Sequence, residues 1–341
     1  MLPIFDGHND ALTREDHADL ASGRGGGHLD LPRMREGGMR GGIFAVFIAS
    51  PDDARRGHFG GGSLRVDNPP VSHPAAAAQA TAAAGRLLAL ERAGELVLAR
   101  GIGDVDAAFE GSRPVAVLHL EGAEAIDPDL EALEVWHAAG LRSLGPVWSR
   151  PNAFAHGVPF AAPSSPDIGP GLSERGRALI AACAELGILV DLSHLNEAGF
   201  WDVARIEAGP LVASHSGAHA LCPSSRNLTD RQLDTIGGSD GLVGIVFAVP
   251  FLRPDFADDP DTPISRIAEH ARYVAERIGV RHVALGSDFD GATIPAALGD
   301  ASGLPKLVEA LRNAGFDEEE TAAICWHNWR RVLAAWWRGE H

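Results

Sequence analysis

Lysine is nearly missing from this chain. Lys306 is the single one, beside 28 arginines. A Schiff-base lysine, or a carbamylated lysine bridging two metals, would therefore have to be Lys306. Cysteine is scarce as well. Cys183, Cys222 and Cys325 are odd in number and widely spaced. That pattern speaks against a disulfide framework or a zinc knuckle and fits buried thiols in a reducing compartment. The N-terminus MLPIFDGHND has no basic stretch followed by an apolar one, so no signal peptide is read. No apolar run reaches the roughly 18 residues of a membrane span. The expected location is the cytoplasm. No G-x-S-x-G follows a β-like run as a nucleophile elbow would, since the match at Gly237 to Gly241 precedes one; there is no P-loop, no G-x-G-x-x-G after a strand and no cysteine set beside a histidine in a motif.

What is present is ordinary globular material. The 341 residues are 45% hydrophobic and 22% charged, enough to bury a core in one large barrel or two medium domains. The net charge of −17 argues against nucleic acid and anionic membrane as partners, since both need clustered cations. It suits a site that concentrates divalent ions.

Eight β-like runs can be read, at 3–8, 42–49, 114–120, 141–148, 188–194, 211–215, 242–249 and 282–286, most followed by a helical stretch. Alternation of this kind implies a parallel sheet, and eight units imply an α/β fold of the (β/α)₈ TIM-barrel type. Helices are expected at 75–100, at 172–186 with Gly187 as its cap, and at 265–278 with Gly279 in the same role. Capping boxes mark Thr229 to Gln232 and Asp317 to Glu320. Long loops rich in Gly, Pro and Ser are expected at 51–74 and 149–170, both at the barrel mouth. No internal repeat and no domain boundary is seen, so 1–341 reads as one catalytic barrel.

Five of the eight runs end in polar residues able to hold a metal: His8 and Asp10, Glu121, His194, His215 and Asp288. Ligands at the C-terminal ends of successive strands are how a barrel builds a metal site. His8 and Asp10 are two apart and point the same way along a strand. Imidazole with carboxylate suits zinc or a similar ion. Glu121 closes an apolar run, where a carboxylate needs a partner, either a metal pair or an arginine. His194 and His215 end consecutive runs, and adjacent strands sit about 4.8 Å apart. His119 reads as a hydrogen-bonded core residue, and His58, His137 and His327 as surface or packing residues. Asp288 is open to three roles: proton shuttle, ligand, or partner of a substrate ammonium. Asp290, next to Gly291, shapes a turn. Arg226 is either a clamp for a substrate carboxylate or a surface ion pair.

The ordered segments FDGHND, HLEG, LVDLSH, ASHS, SRNLTD and GSDFDG resemble the renal (membrane) dipeptidase family of zinc peptidases, within the amidohydrolase-type barrels. The likeness runs from Asp6 to about Leu333. It implies a binuclear zinc site with His8 and Asp10 on one ion, His194 and His215 on the other, and Glu121 bridging. It implies Arg226 as the carboxylate clamp and Asp288 near the substrate amine and scissile bond. The activity implied is hydrolysis of small free dipeptides by a hydroxide between two zinc ions, with tolerance of a D-residue at the C-terminal position. Renal members carry a carbonyl-polarising histidine after the fourth strand; here Trp148 stands at that place. Asn152 and His156 are the candidate substitutes, and Trp148 and Asn152 join the expected substrate residues. Related readings are a hydrolase of N-acyl amino acids or cyclic amides on the same barrel, and a barrel that binds metal without catalysis. The tail AAWWRGEH packs either on the barrel or in a partner subunit, and family analogy favours a homodimer.

Overall fold

All eight runs form strands, and they are parallel throughout: β1 Ile4–Asn9, β2 Met39–Phe47, β3 Val115–Glu121, β4 Leu141–Gly145, β5 Leu189–Val190, β6 Val212–Ser216, β7 Leu242–Ile245 and β8 Val283–Leu285. The computed structural model describes residues 1–50, 58–60, 63–111 and 113–337. One ladder joins β1 to β5 in order and a second joins β6 to β8. Two parallel bridges, Asp191 to Val212 and Asn9 to Phe289, link the ladders end to end. The ring is thus that of a TIM-type α/β barrel, with its helices outside and β1 to β3 buried almost throughout.

The helical punctuation works as the residue types dictate. Thr229 N–H donates to Gln232 Oε1 at 2.9 Å, and Asp317 and Glu320 cap each other reciprocally. Gly187 and Gly279 end their helices with φ of +68° and +97°. The helix expected over 75–100 is corrected to His73–Ala93. Gly94 takes φ of +78° and ends it, and Val97–Leu98 then pairs with β3. Strand β5 is also shorter than the run 188–194. The chain turns after Asp191, with Leu195 N–H donating to Leu192 O at 3.2 Å.

The mouth segments are more ordered than loops. Residues 63–66 pair antiparallel with His58–Gly60 on one side and with Phe160–Ala162 on the other. This small sheet ties the two expected loops together across the barrel mouth. Residues 51–57 and 61–62 of the first loop lie outside the described residues. Trp336 and Trp337 are buried on the chain's own barrel, where their Nε1–H groups donate to Pro210 O and Arg142 O. Residues 338–341 of the tail are outside the described residues. Cys183, Cys222 and Cys325 are buried free thiols, each pushed up to about 12 by burial. Lys306, exposed on the helix Leu304–Asn313, donates to Ala297 O. No helix among the described residues is long and apolar enough to cross a membrane.

Candidate metal centre

The C-terminal ends of the strands bring their polar residues to one place. His8 lies at the end of β1, Glu121 closes β3 and His215 lies at the end of β6. Asp10 follows β1, where its N–H donates to Phe289 O at 2.8 Å. His194 and Asp288 lie on the turns after β5 and β8, with φ of +68° and +60°. The left-handed region is open to His and Asp more than to most residues, and strain of this kind gathers at working sites. All of these except Asp288 are buried.

Glu121 is the hub. Its Oε1 lies 2.9 Å from His194 Nε2, 3.5 Å from His8 Nε2 and 3.6 Å from His215 Nε2. Asp10 Oδ2 is 3.7 Å from His8 Nε2. The donors fall into two triads, His8–Asp10–Glu121 and Glu121–His194–His215, each with its atoms within 4.8 Å of one another. Asp288 forms a further triad with His8 and His215. Three imidazoles with carboxylates are a donor set suited to zinc or a similar divalent ion. The residues fit such ions on a second ground. Both ring nitrogens of His8 and Oδ1 of Asp10 are buried without a hydrogen-bond partner, a costly state for a protein to keep for no purpose.

Charge and burial oppose each other here. Burial pushes the Glu121 carboxyl well above its usual range, against the pull of His8. Burial alone would lower His8, but Glu121, Asp10 and Asp288 outweigh it and raise it to about 10. His194 and His215 are held well below the usual range by burial, then by the neighbouring cations Arg226 and His8. Two neutral imidazoles thus face each other, Nε2 to Nε2, at 3.0 Å. Their far nitrogens are anchored: His194 Nδ1 to Ser149 Oγ at 2.7 Å, and His215 Nδ1 to Ser214 Oγ at 2.8 Å. His119 bonds Ser143 Oγ through Nδ1, while its buried Nε2 has no hydrogen-bond partner, lies 3.8 Å from Asp191 and completes a fourth triad with His8 and Asp191.

A cavity of about 470 Å³ opens over these residues. Asp10, Glu121, His194, Asp288 and Arg226 line it, with an aromatic wall of Phe47, Trp148, Phe160 and Phe251. Arg226 is buried, donates through Nη2 to His215 O at 3.1 Å and keeps Nε without a partner. Trp148 packs against Phe47, Phe160 and the His194 ring at 4.9, 5.5 and 5.8 Å. Buried Arg150 stands 5.1 Å from the Trp148 ring and pairs with Glu124 at 2.7 Å. Asp290 does more than shape a turn: it accepts from Arg24 at 2.8 Å and from His28 N–H at 2.6 Å, pinning the segment after β1.

Asn152 is corrected. Its Nδ2 donates to Pro146 O at 2.8 Å and its Oδ1 accepts from Phe154 and Ala155 N–H, so its amide is consumed by its own loop. Neither Asn152 nor His156 lines the cavity. The orienting hydroxyls of Ser149 and Ser214, the carboxylate of Asp191 and the phenylalanine wall went unread in the sequence. The one signal among them is the serine immediately before His215 in ASHS; the serine before His194 is Ser193, and that ring is held by Ser149 instead.

Comparison with known proteins agrees with this geometry. The family model for membrane dipeptidase, peptidase family M19, matches residues 1–336. A metallopeptidase of Rhodobacter sphaeroides, solved with a phosphinate mimic of the dipeptide L-Ala-D-Ala, is 46% identical, with a TM-score of 0.92 over 98% of this chain and 99% of its own. An uncharacterised protein encoded in the pqqA 5′ region of Klebsiella pneumoniae is 46% identical over 72% of this chain and 91% of its own length. Dipeptidase aclJ of Aspergillus oryzae is 31% identical over 97% of this chain and 78% of its own length. The chain belongs to the membrane dipeptidase family, peptidase family M19.

Proposed function

We propose that this protein hydrolyses free dipeptides, including those with a D-residue at the C-terminal position, with two zinc ions per chain. The observation that carries the reading is the pair of donor triads sharing Glu121. His8 and Asp10 would hold one ion, His194 and His215 the other, and Glu121 both. When bound, such ions supply a water acidic enough to attack at neutral pH and a Lewis acid for the carbonyl.

The chain's own residues do the rest. The unpartnered Nε–H of Arg226 offers a buried donor to the substrate's C-terminal carboxylate, in a cavity of about 470 Å³. Asp288, half-buried at the cavity wall, receives the substrate amine and passes a proton toward the leaving nitrogen. Trp148, Phe160 and Phe251 exclude water from one side and receive a substrate side chain. The dipeptide mimic held by the Rhodobacter relative supports both the size of the substrate and its stereochemistry. A second reading, hydrolysis of N-acyl amino acids, is favoured by Trp148 alone, because it stands where renal members have a histidine.

The deciding experiment is metal analysis followed by a rate screen of L,L and L,D dipeptides against N-acyl amino acids. Dipeptides should lead, and amidation of the C-terminus should raise KM. Full zinc occupancy with no dipeptide turnover would end the proposal. His194→Ala and His215→Ala should each lose metal and rate together.

A further inference from the structure

Asp191 lies directly after β5, buried beneath the ligand histidines. It accepts three hydrogen bonds. Oδ1 takes the N–H groups of Ser193 at 3.0 Å and Ser214 at 2.8 Å; Oδ2 takes the Ser214 hydroxyl at 2.5 Å. A carboxylate has no proton to give, so the direction of the last bond is set: Ser214 donates. The Ser214 oxygen keeps only lone pairs for its other neighbours. These are His215 Nδ1 at 2.8 Å and Ser193 Oγ at 3.3 Å. Ser193 Oγ already accepts from His215 N–H at 3.1 Å, leaving its own proton for Ser214. The proton count closes only if His215 carries its hydrogen on Nδ1. Nε2 is then left with a lone pair, facing Glu121 and His194.

We propose that Asp191, acting through the Ser214 hydroxyl, sets the tautomer of His215 and so presents the right nitrogen to the metal. Asp191 is a positioning residue, not a ligand. The inference rests on the reading of His215 as a metal ligand. It has a consequence that simple support does not. In Asp191→Asn the side-chain oxygen can still serve both backbone N–H groups, but an NH₂ replaces the acceptor Oδ2. That NH₂ donates to Ser214, so Ser214 turns its own proton onto His215 Nδ1. The hydrogen of the neutral ring moves to Nε2, where it blocks ligation. The inversion needs the hydroxyl, so removing the hydroxyl should relieve it.

The test is zinc affinity, by chelator competition on the full-length protein, for Ser214→Ala, Asp191→Asn and the double variant, with folding checked by circular dichroism. Outer-shell partners of metal histidines typically contribute 10–100-fold in affinity. Ser214→Ala should lose about tenfold, Asp191→Asn about 100-fold, and the double variant should recover to near the Ser214→Ala level. A double variant as weak as Asp191→Asn, or Asp191→Asn binding like the wild type, overturns the proposal. Should Asp191→Asn fail to fold, ¹⁵N-histidine spectra of the metal-free wild type decide, with the His215 signal assigned by its loss in His215→Ala. The Nδ1–H tautomer is expected, and the Nε2–H tautomer would refute the relay. His215→Ala separates the two failures: if it keeps both ions at wild-type affinity, the ligand assignment itself is wrong.

Discussion

Glu121 carries the heaviest load of any single residue, since three imidazoles converge on one of its oxygens. Glu121→Gln keeps the volume but removes the charge and turns one acceptor into a donor. It should fold, lose metal stoichiometry and drop kcat on the order of 10³-fold, the several kcal/mol that metal charge stabilisation supplies. Elemental analysis beside steady-state rates checks this, and unchanged stoichiometry and rate would make Glu121 structural. The metal-free site should also reveal itself by a proton. His8, raised to about 10 by Glu121, Asp10 and Asp288 against its burial, is protonated at neutral pH, and a metal must displace that proton. Zinc binding at pH 7 should release about one proton from this pair, and affinity should rise with pH until about 10. Calorimetry in two buffers of different ionisation enthalpy measures it, and zero release would refute the assignment. The candidate ligands were legible in the sequence because only a few residue types can hold a metal, and strand ends mark where they stand. Asp191 and Ser149 were not, since a hydrogen bond to a ring's far nitrogen, direct or relayed, imposes no spacing. Asn152 misled for a related reason: no sequence pattern says whether a loop amide turns to a cavity or to its own backbone.

At the level of elements, all eight strands were legible because buried parallel strands must be apolar on both faces. Their ends were less so. The run 188–194 reads as one strand, yet its last residues turn, and His194 gains its position from a left-handed backbone that residue type alone does not announce. The mouth sheet was invisible, because ladders of three or four residues leave no periodicity to read. The segment after β4 shows how tightly such an element is built. It turns back on itself through Gly157 N–H to Arg150 O at 3.2 Å, then reaches His194 O through Val158 N–H at 2.8 Å. A Cβ on Gly157 would sit 1.7 Å from Trp148 O and 2.7 Å from Arg150 N. Both contacts are backbone, so no rotamer relieves them. Gly157→Ala should cost about 1–3 kcal/mol, as overpacking does. It should also raise KM, since the displaced atoms carry Trp148 and lean on His194. Urea unfolding beside dipeptide kinetics tests the pair; a loss of stability with KM unmoved would mean that this turn supports the fold and not the site.

For the molecule as a whole, acid stability sums buried groups of opposite sign, and two of them can be read separately. His270, on the helix Ser265–Ile278, accepts from Ala218 N–H at 3.0 Å and bonds Leu252 O at 3.3 Å. It thereby ties together the segments that follow β6 and β7, the first of which carries Arg226. Burial lowers it to about 4 from the usual 6.5. Between those values the unfolded chain binds a proton that the folded chain refuses. Its contribution is present above pH 6.5 and is lost as pH falls toward 4, up to about 3 kcal/mol. Asp6 runs the other way. Burial raises it to about 6, although Ser287 N–H and Oγ–H both donate to it. The folded chain then holds a proton that the unfolded chain gives up. This contribution is full below pH 3.8 and is lost as pH rises through 6, again about 3 kcal/mol. Urea midpoints of the wild type, His270→Asn and Asp6→Asn, measured from pH 7.5 to 4.5 in a chelator so that metal loss does not enter, should separate them. The gap between wild type and His270→Asn should narrow on acidification, while the gap to Asp6→Asn should widen. Gaps that move in the same direction, or that stay constant, would mean that these two buried groups do not govern how the barrel responds to acid.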